Sequence, residues 1–127
     1  LADFGLSTIN EMYVSTRCGS MPYVGPESFT EHSFDPFKCD CWSVGVVLFM
    51  ATHGFQAMHY AHVKDPVFAK MVKAPISPTR VICKHWDKPA GFADDIIDRL
   101  LQIDPLSRMP MWEARLHPDI KHVDKKM

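Results

Sequence analysis

Apolar and polar positions change their period several times along this chain. The stretch "DCWSVGVVLFMATH", residues 40–53, is apolar on nearly every side of a 3.6-residue repeat and predicts a helix buried all round. Asp40 is expected at its N-terminus, where a carboxylate satisfies orphan N–H groups, and Gly54 is expected to end it. "GFADDIIDRLLQIDP" puts Phe92, Ile96, Leu100 and Ile103 on one helical face, with Ile97 and Leu101 beside them. Asp94, Asp95, Asp98 and Arg99 fall opposite, and Pro105 stops the helix. Between these two, residues 55–89 hold Pro66, Pro75 and Pro78, and only a short helix over Pro66–Val72 is expected. A last helix is expected from Pro110 to before Pro118, with a frayed tail "KHVDKKM". Residues 6–38 have no period and are rich in Ser, Thr, Gly and Pro. They read as a long ordered loop, and loops of that length in a compact domain are functional or mobile. The pattern predicts a mainly α fold without repeats.

Composition narrows the classes. A net charge of −1 over 127 residues, with 46% hydrophobic and 23% charged residues, gives no electrostatic case for nucleic acid or an anionic membrane as partner. The longest apolar stretch, Trp42–Ala51, is too short to span a bilayer, and the first residues show no secretory h-region. The cysteines, Cys18, Cys39, Cys41 and Cys83, form no C-x-x-C pair. They read as reduced thiols of a cytoplasmic, intracellular protein.

Candidate chemistry begins at "LADFGLS", residues 1–7. Asp3 sits just past a strand end beside the flexible Gly5, a place from which a carboxylate can ligate a hard cation such as Mg²⁺. Taken alone, those residues describe an ordinary turn. A second metal reading gathers His53, His59, His62 and the Cys39/Cys41 pair, but their spacing matches no zinc pattern.

The order of short motifs changes the weighing. "DFG" at 3–5 is followed by "CGSMPYVGPE" at 18–27, "DCWSVGVVLF" at 40–49, "DPLSR" at 104–108 and "HP" at 117–118. Five weak motifs in this order resemble the C-terminal lobe of a eukaryotic protein kinase across essentially the whole chain. The resemblance implies a partial kinase domain, α+β when complete, with a long activation loop over residues 6–24. It implies ATP and Mg²⁺ as cofactors and a protein substrate. "GSMPY" is similar to the serine/threonine form, and "MPYVGPE" with "DPLSR" and "HP" is most similar to the calmodulin-dependent or AMP-activated-like branch.

Residue roles follow from the same resemblance. Asp3 is expected to hold Mg²⁺ against the ATP phosphates, with Phe4 and Gly5 setting the geometry of that turn. Thr16 is expected to be phosphorylated by an upstream activating kinase. Ser20 and Tyr23 are expected to line the substrate pocket, Glu27 to pair with Arg108 in the interior, and Asp40 to hydrogen-bond the catalytic loop. No counterpart of that loop, of its base Asp, of the Gly-rich loop or of the strand Lys occurs in these 127 residues. The chain is therefore expected to start more than halfway through a domain, to need the N-terminal part of that domain, and to be inactive alone. The departures are "GPE" for "APE", expected to loosen the backbone at Gly25; Pro110 for a capping Ser/Thr; Gln56-Ala57-Met58 for an apolar proline-rich turn; and Asp119 for an aromatic. Met50 and Ala51, where basophilic kinases often carry an acid, put a preference for arginine-rich substrates in doubt. A scaffold lobe that binds partners without phosphotransfer is the alternative, and the retained Asp3 favours the enzyme.

Overall fold

The computed structural model describes residues 23–30, 33–74 and 77–120. Six helices follow in order: α1 Glu27–Thr30, α2 Pro36–His53, α3 Pro66–Lys73, α4 Pro78–Trp86, α5 Asp94–Leu100 and α6 Met111–Ala114. No strand element occurs among the described residues, so the mainly α expectation holds for them. The residues expected to form the metal-binding turn (Asp3, Phe4, Gly5), the phosphorylation candidate Thr16, the substrate-pocket candidate Ser20 and the tail, residues 121–127, lie outside the described residues.

The long helix α2 organises the rest. It starts at Pro36, not at Asp40: the Asp35 side chain accepts the Phe37 N–H at 2.9 Å, and Pro36 supplies a preset first turn. Asp40 therefore lies in the second turn, where the backbone N–H groups already have partners, and it caps nothing. Gly54 ends the helix with φ +82°, its N–H returning to the Met50 carbonyl at 2.9 Å. Trp42, Val46 and Phe49 are fully buried, but Phe37 and Val47 face outward, so α2 is not covered on every side.

Its buried side packs on α5. A Cβ at Gly45 would lie 2.9 Å from both Leu100 Cβ and Leu101 Cδ2, so the two backbones approach closely because this position lacks a side chain. Ile96, Ile97, Leu100 and Leu101 join the core as their spacing predicts. Phe92 does not: it is 61% exposed, because α5 begins only at Asp94 and the helical register does not extend back to it.

Between α2 and α5 the chain forms two helices, not one. Asp65 is buried and caps α3, accepting from Val67 N at 2.9 Å and Phe68 N at 3.1 Å, and it also receives His59 N at 3.0 Å. The unexpected α4 is capped in trans. Asp98 of α5 accepts the Ser77 hydroxyl and the Thr79 N–H, each at 2.8 Å. Asp98 thus faces α4 and is only partly exposed. Pro110 stands just before α6, without a side-chain cap bond, and that helix is only four residues long.

No disulfide joins the described residues, and Cys39, Cys41 and Cys83 are buried. Burial raises the pKa of Cys41 and of Cys83, which keeps both as thiols. No helix among the described residues is long and apolar enough to cross a membrane.

Candidate functional site

One polar constellation ties the first described segment to the last. Arg108, 1% exposed, sends Nη1 to Glu27 Oε2 at 2.7 Å and Nη2 to Glu27 Oε1 at 3.0 Å, a bidentate pair across 81 positions of sequence. Its remaining donors are used as well. Nη1 reaches the Lys38 carbonyl at 2.7 Å, Nε and Nη2 reach the Gln102 carbonyl at 2.9 and 2.8 Å, and Nη2 approaches the Ile103 carbonyl at 3.3 Å. The guanidinium also lies 5.3 Å from the Trp42 ring centroid. Lys38 answers in kind, donating from Nζ to the Arg108 carbonyl at 2.8 Å. Gln102 was not legible as part of this knot, since it acts through a backbone carbonyl that any residue carries, and Lys38 was not, since its Nζ meets a backbone carbonyl 70 positions away.

Around Glu27 the backbone is held firmly. Gly25 is buried, its N–H approaches Cys39 Sγ at 3.2 Å, and its carbonyl accepts the Ser28 hydroxyl at 2.8 Å. The glycine does not loosen the segment, because both of its backbone polar groups are bonded. Tyr23 is partly buried against the core, and its carbonyl accepts a short hydrogen bond from the Ser43 hydroxyl of α2. Glu27, Tyr23 and Arg108 are thus fixed to one scaffold, α2.

Asp40 lies on α2 away from that knot. It is half-buried and accepts no hydrogen bond among the described residues. Burial pushes its carboxyl up to about 6.

The histidine and cysteine metal set does not form. His53, His59, His62, Cys39 and Cys41 do not converge among the described residues. His53 points instead to Asp94, Nε2 to Oδ1 at 3.0 Å, and stacks on Phe49. The ligating side chains that do approach one another are Asp95, His117 and Asp119, where Asp95 is already held by Arg99 at 3.1 Å and by His117.

The chain is similar in sequence to known proteins. The protein kinase domain family matches residues 1–120. Calcium/calmodulin-dependent protein kinase type IV of Mus musculus is 29% identical over 123 residues, covering 93% of this chain and 25% of that protein. The SNF-related serine/threonine-protein kinase of Rattus norvegicus is 32% identical over 128 residues, covering 98% and 16%. The CBL-interacting serine/threonine-protein kinase 20 of Arabidopsis thaliana is 31% identical over 114 residues, covering 86% and 24%. The chain spans a quarter or less of the length of these curated relatives.

Proposed function

The chain belongs to the protein kinase family, and from that premise we propose that it is part of a serine/threonine protein kinase that transfers the ATP γ-phosphate to a Ser or Thr of a protein substrate. The match over residues 1–120, with relatives named as serine/threonine kinases, is the observation that carries this reading. Residues 1–127 are, on this reading, an incomplete domain running from the metal-binding turn through the last helix of the C-terminal lobe, in an intracellular protein.

Catalysis in this family is positioning and electrostatics, with Mg²⁺ neutralising the charge that develops on the phosphoryl group. Asp3 would hold that ion through its carboxylate, with Phe4 and Gly5 next to it in the sequence. Ser20 and Tyr23 border the substrate pocket, and Thr16 receives the phosphate of an upstream kinase. Glu27 and Arg108 fix the floor of that segment against α2. The bidentate pair and five further contacts around Arg108 support a brace that does not shift during turnover. Asp40, half-buried without a donor, accepts backbone N–H groups of the catalytic loop.

The test is phosphotransfer by the full-length protein. Asp3→Ala should abolish it without changing the thermal transition, since it removes a metal ligand worth several kcal/mol in the transition state. Retained activity within about tenfold of wild type would remove Asp3 from the metal role. A folded full-length protein with no transfer to any peptide would favour the scaffold reading.

A further inference from the structure

Charge is segregated along this chain. Residues 64–88 carry Lys64, Lys70, Lys73, Arg80, Lys84 and Lys88 against Asp65 and Asp87, a net of +4. The rest of the chain holds eight Lys and Arg against thirteen Asp and Glu, a net of −5. Asp65 is buried and committed to capping α3, so the surface is more basic than the count. Among the described residues none of the six cations forms an ion pair with a carboxylate.

The six sit on and around two packed helices. Arg80, Lys84 and Lys88 line one open cavity of about 410 Å³ together with Ser77, Thr79 and Cys83. Asp94 and Asp98 on its wall are already engaged: Asp98 with Ser77 and Thr79, Asp94 with the Gly91 N–H and His53. From α3, Lys70 Nζ comes within 2.9 Å of His85 Nδ1 on α4, which joins the two helices' cations into one surface. Val72 and Trp86 are exposed on the same helices.

We propose that the α3–α4 pair is a docking surface for an acidic, partly apolar peptide segment of another protein. Like charges at positions three and four apart on a helix destabilise it, as Lys70 with Lys73 and Arg80 with Lys84 do, so the arrangement opposes the fold that carries it. An acidic partner relieves that repulsion. Five of the six cations are lysines, flexible point charges that attract an anionic segment without dictating one bidentate geometry. Helices of eight and nine residues are roughly 12–14 Å long, short for a duplex or a membrane surface. The net −5 elsewhere also repels an extended polyanion. Exposed Val72 and Trp86 supply the apolar component typical of protein interfaces. This inference is independent of phosphotransfer.

The experiment is fluorescence anisotropy of the full-length protein with a labelled Glu-rich peptide interspersed with Leu, at low and physiological salt. Binding that weakens with salt is expected, and R80E/K84E/K88E should reduce affinity by at least about tenfold. The tail variant K121E/K125E/K126E makes the same change in net charge and should leave affinity within about twofold. R80Q/K84Q/K88Q, with an unchanged thermal transition, provides a milder loss if the reversal disturbs folding. No peptide binding, equal loss in the cavity and tail variants, or tighter binding to phosphatidylserine vesicles or duplex DNA would overturn the proposal.

Discussion

Replacing Arg108 with alanine strips the interior of a charge that makes six hydrogen bonds, and the cost can be worked from its partners. Glu27, 4% exposed, has no hydrogen-bond donor to its side chain other than Arg108 among the described residues. Losing that donor leaves a buried carboxylate alone, which costs about 3–5 kcal/mol. The carbonyls of Lys38, Gln102 and Ile103 lose donors too, each a penalty of up to about 1–3 kcal/mol where water cannot enter. Those three residues are partly exposed, so water recovers much of the second loss. A total near 5 kcal/mol is comparable to the whole stability of a small domain.

The reverse change is milder. Glu27→Gln leaves Arg108 held by three carbonyls and the Trp42 ring, so it should cost about 1–3 kcal/mol. Urea denaturation of the full-length protein measures both, and the E27Q/R108A double variant closes a cycle. The double variant should be more stable than R108A alone, since a neutral amide replaces the stranded carboxylate, with coupling of about 1–3 kcal/mol. An Arg108→Ala cost below that of Glu27→Gln would refute the reasoning, because it would mean that water or another cation reaches Glu27.

Two further changes probe the packing and the acceptor on α2. A Cβ at Gly91 would lie 2.6 Å from His53 Nε2, and His53 is pinned by its stack on Phe49 and its pair with Asp94, so Gly91→Ala should cost about 1–3 kcal/mol and be partly rescued by His53→Ala; a neutral effect on the urea midpoint would show that the ring can move. Asp40, raised by burial to about 6 from an ordinary 3.8, binds more protons folded than unfolded between those values, so its contribution is fully present below pH about 4 and is lost as pH rises through about 6. For residues 1–127 the loss should be about 1–2 kcal/mol after allowance for partial exposure, and Asp40→Asn should flatten it. A pH profile unchanged by that substitution would remove Asp40 as its source.

What could be read locally and what could not divides on where each residue's partner lies. The body of α2 followed from its continuous apolar run and the buried face of α5 from its spacing, because Ile96 and Leu100 report their own burial through periodicity. The helix starts were misplaced although their signal was present. Asp35-Pro36, Asp65-Pro66 and Ser77-Pro78 each open a helix, and that dipeptide pattern would have moved the start of α2 back from Asp40 and revealed α4.

Polar residues are harder, because a helical wheel knows only its own helix. Asp94 and Asp98 fall on the polar face of α5 and read as solvated, yet one faces His53 and the other caps α4, twenty-one positions from Ser77. Arg108 carries no local sign of burial, and only the motif order tied it to Glu27. The same distinction decides which charges matter at the surface. Asp65, Asp94 and Asp98 keep their charge but spend carboxylate oxygens on backbone N–H groups of the fold. Among the described residues the exposed cations of α3 and α4 pair with no carboxylate, so the local charge a partner meets is set by which acids the fold has already used.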